Sequence, residues 1–519
     1  MSEARSEADR PLIPLPPGTR GLTAFALALG TFMQVLDMTI ANVSLPTIAG
    51  SLGVSANQGT WIITSFAVAN GISVPLSGWL MRRFGVVRTF VAAVTLFTIA
   101  SFLCGVAWSF ESLIAFRVMQ GAVSGPMIPG SQALLMSIYP ASRRGTALAI
   151  WSMTTLTAPV AGPLLGGYIS DNFSWPWIFL INLPVGVLSA VLCWRALHAK
   201  ESPTEKVPVD WTGMVLLVIW VGALQIMLDT GRDADWFAST RIVVLATVAA
   251  VGFVAFLIWQ LTERHPIVDL SLFRGRNFTV GTLVTCVGYA TFFGNVVLLP
   301  LWLQTQLGYT ATWAGMLQAP AGAVALLLSP WVGRNVTRFD PRIFASVAFV
   351  VMGTGLYTRS LLNSQAAFSD FMLPMVLQGA AMAFFFVSVI SIQLDGLPPQ
   401  RMPAATSISN FLRITAAAFT TSITTTLWDD RASLHRSRLA EASSIYDPTL
   451  QEALGRAHDL GFNDQQSLGV LTRGLVEQSY MLSTLDYFYA TTWISFGLIG
   501  FVWLTRRPRI ASGLPVIAD

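Results

Sequence analysis

Three charged side chains sit deep inside long apolar stretches of this 519-residue chain: Asp37, Arg117 and Arg413. A carboxylate near the centre of a hydrocarbon layer costs roughly 2.5–3.5 kcal/mol even on the lenient insertion scale. A carboxyl group that alternates between an apolar setting and a cationic one loads and releases a proton. At 1.5 Å per helical residue, Asp37 lies about 13 Å from the outer end of its stretch and Arg117 roughly 8 Å from the outer end of its own. Arginine keeps its charge, so at that shared depth Arg117 is a fixed cation able to tune Asp37. The competing readings are a neutral aspartate that only joins helices and an arginine that snorkels to the surface. Arg413 falls about ten residues into its stretch, close to the middle. It would attract an anionic group, or pair with a carbonyl or another helix.

The elements that position these residues are membrane spans. Apolar residues make up 53% of the chain and charged residues 11%, against about 25% charged in an ordinary soluble domain. Mean hydropathy is +0.60. Disorder and a soluble multidomain enzyme are both excluded. Fourteen stretches reach the roughly 20 residues that a helical span needs. They cover about 22–46, 58–80, 88–107, 112–138, 144–168, 176–197, 211–229, 241–262, 278–304, 311–333, 342–361, 369–393, 404–427 and 484–504, and are numbered here as spans 1 to 14. An even count puts both termini on one side. With the termini in the cytoplasm, 21 of the 31 lysines and arginines fall inside. Short outside loops then hold only Arg232, Arg241 and Arg359, as the positive-inside rule demands.

Other chemistries find little support. The cysteines Cys104, Cys193 and Cys286 lie in apolar runs without metal-like spacing. The four histidines fall in polar connecting segments, so no metal site and no cofactor is expected. An embedded transferase needs a nucleophile, a base and an orienting group. A channel needs a charged ring or filter, and an ATP-driven machine a phosphate-binding loop. None of these is present. The charge of +4 is scattered in small clusters, which is no nucleic-acid signature.

The chain repeats itself. Val118-Met119-Gln120-Gly121-Ala122 in span 4 matches Val376-Leu377-Gln378-Gly379-Ala380 in span 12. Pro140 and Arg143 match Pro398 and Arg401 at the same separation of 258 residues. Spans 1–6 therefore pair with spans 9–14, and spans 7 and 8 are an insertion. Two six-helix halves are a common secondary-transporter plan, with the substrate site near the midplane between them.

Several motifs carry a family likeness along essentially the whole chain. Leu36-Asp37-Met38-Thr39-Ile40-Ala41-Asn42-Val43, Arg117 with Gln120-Gly121, and Gly162-Pro163-Leu164-Leu165-Gly166-Gly167 resemble the span 1, span 4 and span 5 motifs of fourteen-span drug:proton antiporters of the major facilitator superfamily, in particular the EmrB type. Gly78, Arg83, Gly85 and Arg88 fit the superfamily's span 2–3 motif. The usual acidic residue of that loop is replaced by Arg82, so its gating role does not carry over. Ala149 and Ala158 stand where earlier span 5 glycines are usual.

The resemblance implies an all-α fold with two six-helix halves and two inserted central helices. It implies proton coupling through Asp37 and Arg117, with Gly162, Pro163, Gly166 and Gly167 packing span 5 closely. Gln34, Asn42, Gln120, Trp151, Asn182 and Arg413 are expected to line the substrate cavity. The expected activity is export of lipophilic drugs, or alternatively of one metabolite, fatty acid or siderophore. The organisation expected is a disordered cytoplasmic tail over 1–20, halves over 21–200 and 278–505, inserted helices over 211–262, and a second tail over 506–519. A long polar loop over 428–480 would face the periplasm. The resemblance implies that it meets an adaptor protein, and through it an outer-membrane channel, from a bacterial inner membrane.

Overall fold

The computed structural model describes residues 13–507 apart from 55, 141, 142, 207, 364 and 443–447. Among these residues the chain is helical, with no strand. A helix covers each expected span. The first half contains Pro17–Ser51, Trp61–Phe84, Val86–Gly105, Arg144–Asn172 and Asn182–Leu197, with span 4 divided into Phe110–Ser124 and Met127–Ile138. The inserted pair is Trp211–Thr230 and Thr240–Thr262. The second half contains Arg276–Thr305, Ala311–Asn335, Pro341–Ser360, Met372–Gln393, Met402–Ala442 and Asp464–Trp503. Ten helices among the described residues are long and apolar enough to cross a membrane.

Small residues set the crossings that matter for Asp37 and Arg117. Span 4 breaks at Gly125-Pro126, where proline cannot supply a backbone donor. A side chain on Gly121 would collide with the Phe66 carbonyl, and one on Gly125 with Ser73. Span 4 can therefore lie directly on span 2. The contact is fastened by Asn70 Nδ2 donating to Ser124 Oγ at 2.6 Å and Ser73 Oγ to the Ala122 carbonyl at 2.5 Å. In the same way Gly162 and Gly166 of span 5 sit on Thr39 and Ile40 of span 1, with no room for a Cβ.

The halves meet through two similar contacts near the end of the bundle that carries the termini. Gly145 of span 5 faces Gly333 of span 10 backbone to backbone. Gly78 of span 2 packs on Ala404 and Ser407 of span 13, where Ser77 Oγ donates to Ser407 Oγ at 2.9 Å. Ala149 adds to the span 5–span 10 contact, so a small residue suffices where a glycine is usual.

Spans 7 and 8 are pinned together at one end. Asp210 Oδ1 accepts from the Gly213 amide at 2.7 Å and from Trp259 Nε1 at 2.8 Å, while Oδ2 accepts from Gln260 Nε2 at 3.1 Å. One carboxylate thus caps span 7 and holds span 8 to it.

Two expectations about the polar segments need correction. The described residues of 428–480 are mostly helical rather than a loop. Span 13 continues as one helix of 41 residues and span 14 begins as one of 40. Each is about 60 Å long at 1.5 Å per residue, twice the roughly 30 Å of bilayer hydrocarbon. The extensions pair side by side: Trp428 Nε1 donates to Thr484 Oγ1 at 2.9 Å, Ser483 Oγ to the Trp428 carbonyl at 2.6 Å, and His435 Nε2 meets Asp486 Oδ2 at 2.9 Å. A short helix, Pro448–Asp459, lies between them. The disordered tail expected over 1–20 also ends early, because Ile13 and Leu15 are buried, the Ile13 amide donates to the Ser137 carbonyl and span 1 starts at Pro17. Residues 1–12 lie outside the described residues, as does 508–519 of the second tail.

Replacing Asp210 with alanine removes a helix cap and two side-chain bonds. Thermal unfolding of the purified chain is expected to show a loss of about 1–3 kcal/mol, with Asp210→Asn keeping part of it.

Candidate functional site

Asp37 and Arg117 are in direct contact. Arg117 Nη1 donates to Asp37 Oδ2 at 2.6 Å, and both side chains are buried, at 1% and 0% exposure. Their bond is one part of a closed network. Arg117 Nη1 also donates to Gln120 Oε1 at 2.8 Å, and Arg117 Nε to the Ile62 carbonyl at 3.0 Å. Gln120 Nε2 donates to Asp37 Oδ1 at 3.1 Å. The Gln120 amide is held at both ends, so its orientation is determined. Asn182 Nδ2 supplies a further bond to Asp37 Oδ1 at 3.0 Å and one to Ser101 Oγ at 3.0 Å, and Ser101 in turn donates to the Phe179 carbonyl. The guanidinium lies over the Phe66 ring, its carbon 4.3 Å from the centroid.

Asp37 therefore accepts from three donors on spans 4 and 6, an arrangement suited to an ionised carboxylate, which has only acceptors to offer. A buried pair in a low-dielectric setting is tolerable only with such saturation.

A second polar centre lies where the halves face each other. Arg413 is 3% exposed. Its Nη2 donates to Asn410 Oδ1 at 2.9 Å, and Asn410 Nδ2 donates across the interface to Gln132 Oε1 at 2.9 Å. Three rings surround the guanidinium carbon: Tyr289 at 4.7 Å, Trp151 at 5.4 Å and Phe386 at 5.9 Å. Arg413 Nε and Nη1, Trp151 Nε1 and both polar atoms of the Gln34 side chain are buried without a partner. These groups are open to a polar ligand.

The expected site residues thus divide into separate places. Asp37 and Arg117 meet. Gln120 and Asn182, expected in the cavity, belong instead to the Asp37 network. Gln34, Trp151 and Arg413 are buried polar groups with free hydrogen-bonding capacity. Gly162 and Gly166 pack on span 1, but Gly167 faces open space and takes no part in that contact. The side chains of Asn42 and Pro163 lie outside the described residues. Gly78 sits at the interface of the halves, and Arg83 ends span 2.

Gly85 has φ +94, a conformation that favours glycine, and it turns the chain from span 2 into span 3. Glu201, from beyond span 6, accepts there from the Val87 amide at 2.9 Å and the Arg88 amide at 2.8 Å. A carboxylate at a helix N-terminus is electrostatically favoured. Glu201 thus caps the start of span 3 from a distant segment. Sequence reading also missed Ser101, Tyr289 and Asn410, which are ordinary span residues until packing brings them to a charge. Arg359 was expected in an outside loop and is instead buried in the last turn of span 11, at 1% exposure.

Comparison with known proteins shows the family and the fold. The Major Facilitator Superfamily profile matches residues 27–421. The multidrug export protein EmrB of Haemophilus influenzae is 46% identical over 496 residues, covering 95% of this chain and 97% of EmrB. The fatty acid resistance protein FarB of Neisseria gonorrhoeae is 43% identical over 500 residues, covering 96% and 99%. Among solved structures, the proton:xylose symporter XylE shares the fold with a TM-score of 0.61 at 14% identity, covering 94% of this chain and 95% of XylE. The chain belongs to the major facilitator superfamily and is a multi-pass membrane transporter rather than an enzyme.

Removing one member of the buried pair strands the other. Arg117→Met leaves Asp37 without its cation, and Asp37→Leu strands Arg117. Each single change is expected to cost about 3–5 kcal/mol. The double change restores most of that in a denaturant or thermal titration, because a matched apolar pair carries no desolvation penalty.

Proposed function

We propose that this chain is a proton-driven exporter of hydrophobic or amphiphilic drugs, and the inner-membrane component of a tripartite efflux pump. The observation that carries the proposal is the buried Asp37–Arg117 pair, saturated by Gln120 and Asn182. The export direction and drug class rest on the likeness to EmrB. Both termini are taken as cytoplasmic from the distribution of basic residues.

In the ionised state Asp37 joins span 1 to spans 4 and 6 through its three donors. A proton arriving from outside neutralises the carboxylate and removes its attraction for Arg117. Span 1 is then held to its neighbours less tightly. Span 1 also carries Gln34, one turn away, and Thr39 and Ile40, on which Gly162 and Gly166 of span 5 rest. Loss of the charge is thereby felt at the cavity and at span 5, which also forms one contact between the halves. Release of the proton inward restores the pair. The substrate occupies the space between the halves, where Trp151, Tyr289 and Phe386 offer apolar faces. Arg413 Nε and Nη1 offer hydrogen bonds to an anionic or polar head group.

In proteoliposomes under an imposed pH gradient, wild type is expected to accumulate a lipophilic cation and a fatty acid. Asp37→Asn is expected to lose gradient-driven accumulation while still exchanging substrate between compartments without a gradient. Gradient-driven uptake that survives the substitution would remove proton coupling from Asp37. Arg413→Gln should reduce fatty-acid transport at least tenfold more than transport of the cation, which has no use for a positive head-group site.

The paired extensions of spans 13 and 14 reach well past the hydrocarbon and form a surface suited to a periplasmic adaptor. Deleting residues 436–475 is expected to abolish co-purification with the adaptor and resistance in cells, and to leave antiport in proteoliposomes intact. Retained co-purification would reduce the extensions to a cap.

A further inference from the structure

Arg359 is a buried cation without an anion. No ion pair involves it among the described residues. Its Nη2 donates to Gln378 Oε1 and approaches Met375 Sδ at 3.6 Å, and its guanidinium carbon lies 5.8 Å from the centre of the Phe488 ring. Nε and Nη1 have no partner. Arginine does not escape this by losing its proton, and an uncompensated buried charge costs several kcal/mol.

Beside it is a cavity of about 20 Å³, lined by Arg359, Gln378 and Asn295 together with Phe292, Met352 and Met382. One water needs roughly 10–15 Å³ on this measure. The space therefore suits a small species such as one water or one monatomic ion. Asn295 Nδ2 donates to the Thr291 carbonyl at 2.7 Å, and its Oδ1 is unpaired.

The two halves make the deficit plain. In the first half an arginine and a glutamine of span 4 meet an aspartate of span 1. In the second half Gln378, the repeat partner of Gln120, meets an arginine of span 11, and the polar residue that span 9 brings to the cavity is Asn295. Span 9 is the repeat partner of span 1. The second cluster has the same side-chain types with an amide in place of the carboxylate, so it is one negative charge short.

We propose that the cavity beside Arg359 binds a halide ion, chloride under ordinary conditions, which neutralises the guanidinium and holds the far ends of spans 9, 11, 12 and 14 together. Arg359 is in the last turn of its helix, so the ion exchanges with the solution on the side away from the termini.

The test uses the full chain in detergent or nanodiscs. At constant ionic strength, replacing gluconate with chloride or bromide is expected to raise the melting temperature saturably, as a ligand of the native state does. Sulfate should give no rise. Crystals grown in bromide should show an anomalous peak between Arg359, Gln378 and Asn295. Asn295→Asp, which supplies the missing charge internally, should melt in gluconate at or above the chloride-saturated wild type and lose its response to chloride. Equal melting of wild type in chloride and gluconate, or no bromide peak in the cavity, would overturn the proposal and leave a single water bridging Arg359 and Asn295. The wild-type measurements decide the matter even if Asn295→Asp fails to fold.

Discussion

Most of the first half can be understood from one constraint: Asp37 and Arg117 are ionised groups in a place without water. Each must find its partners inside the protein, since an unsatisfied charge there costs more than a helix contact returns. Span 4 is broken at Gly125-Pro126 and laid against span 2, which brings Arg117 to the Ile62 carbonyl and the Phe66 ring. Span 6 is set against span 3 so that Asn182 reaches both Ser101 and Asp37. The glycines of span 5 bring a further helix onto span 1 next to the aspartate. The same saturation ties Asp37 of span 1 to two other spans at once.

The second half solves its charge problem differently. Arg413 and Arg359 lie among aromatic rings and amides, with no carboxylate paired to either among the described residues. Ring faces attract a guanidinium, yet they leave its N–H groups free. Duplication has therefore given two bundles of one plan and opposite electrostatic character. The first contains a closed ion pair, and the second contains cations with unused donors.

The halves meet through close contacts of small residues. Gly145 against Gly333 and Gly78 against Ala404 are backbone approaches, and around the second, Ser407 and Thr406 hydrogen-bond across to Ser77, Val74 and Pro129. Spans 13 and 14 are opposite in character at their far ends. There Trp428 and His435 of one helix bond to Ser483, Thr484 and Asp486 of the other.

The sequence alone determined the helical class, the positions of the spans and the depth at which Asp37 and Arg117 would meet. Those follow from apolar length and a constant rise per residue, which act locally and leave their mark in order along the chain. It also showed the repeat, because register survives duplication. Only the tertiary structure decided what each polar span residue does. Gln120 and Asn182 read as cavity lining and became supports of Asp37, since which face of a helix meets which neighbour is set by small residues on other helices. Glu201 caps span 3 from more than a hundred residues away, a contact visible only where the two segments touch. Arg359 read as a loop residue because it ends its span, and the polar run after span 13 read as a loop because apolar content measures where a helix crosses lipid and says nothing of where it stops. Hydropathy reports the solvent around a helix, whereas partners across space are fixed by packing, and the chemistry of this protein depends on those partners.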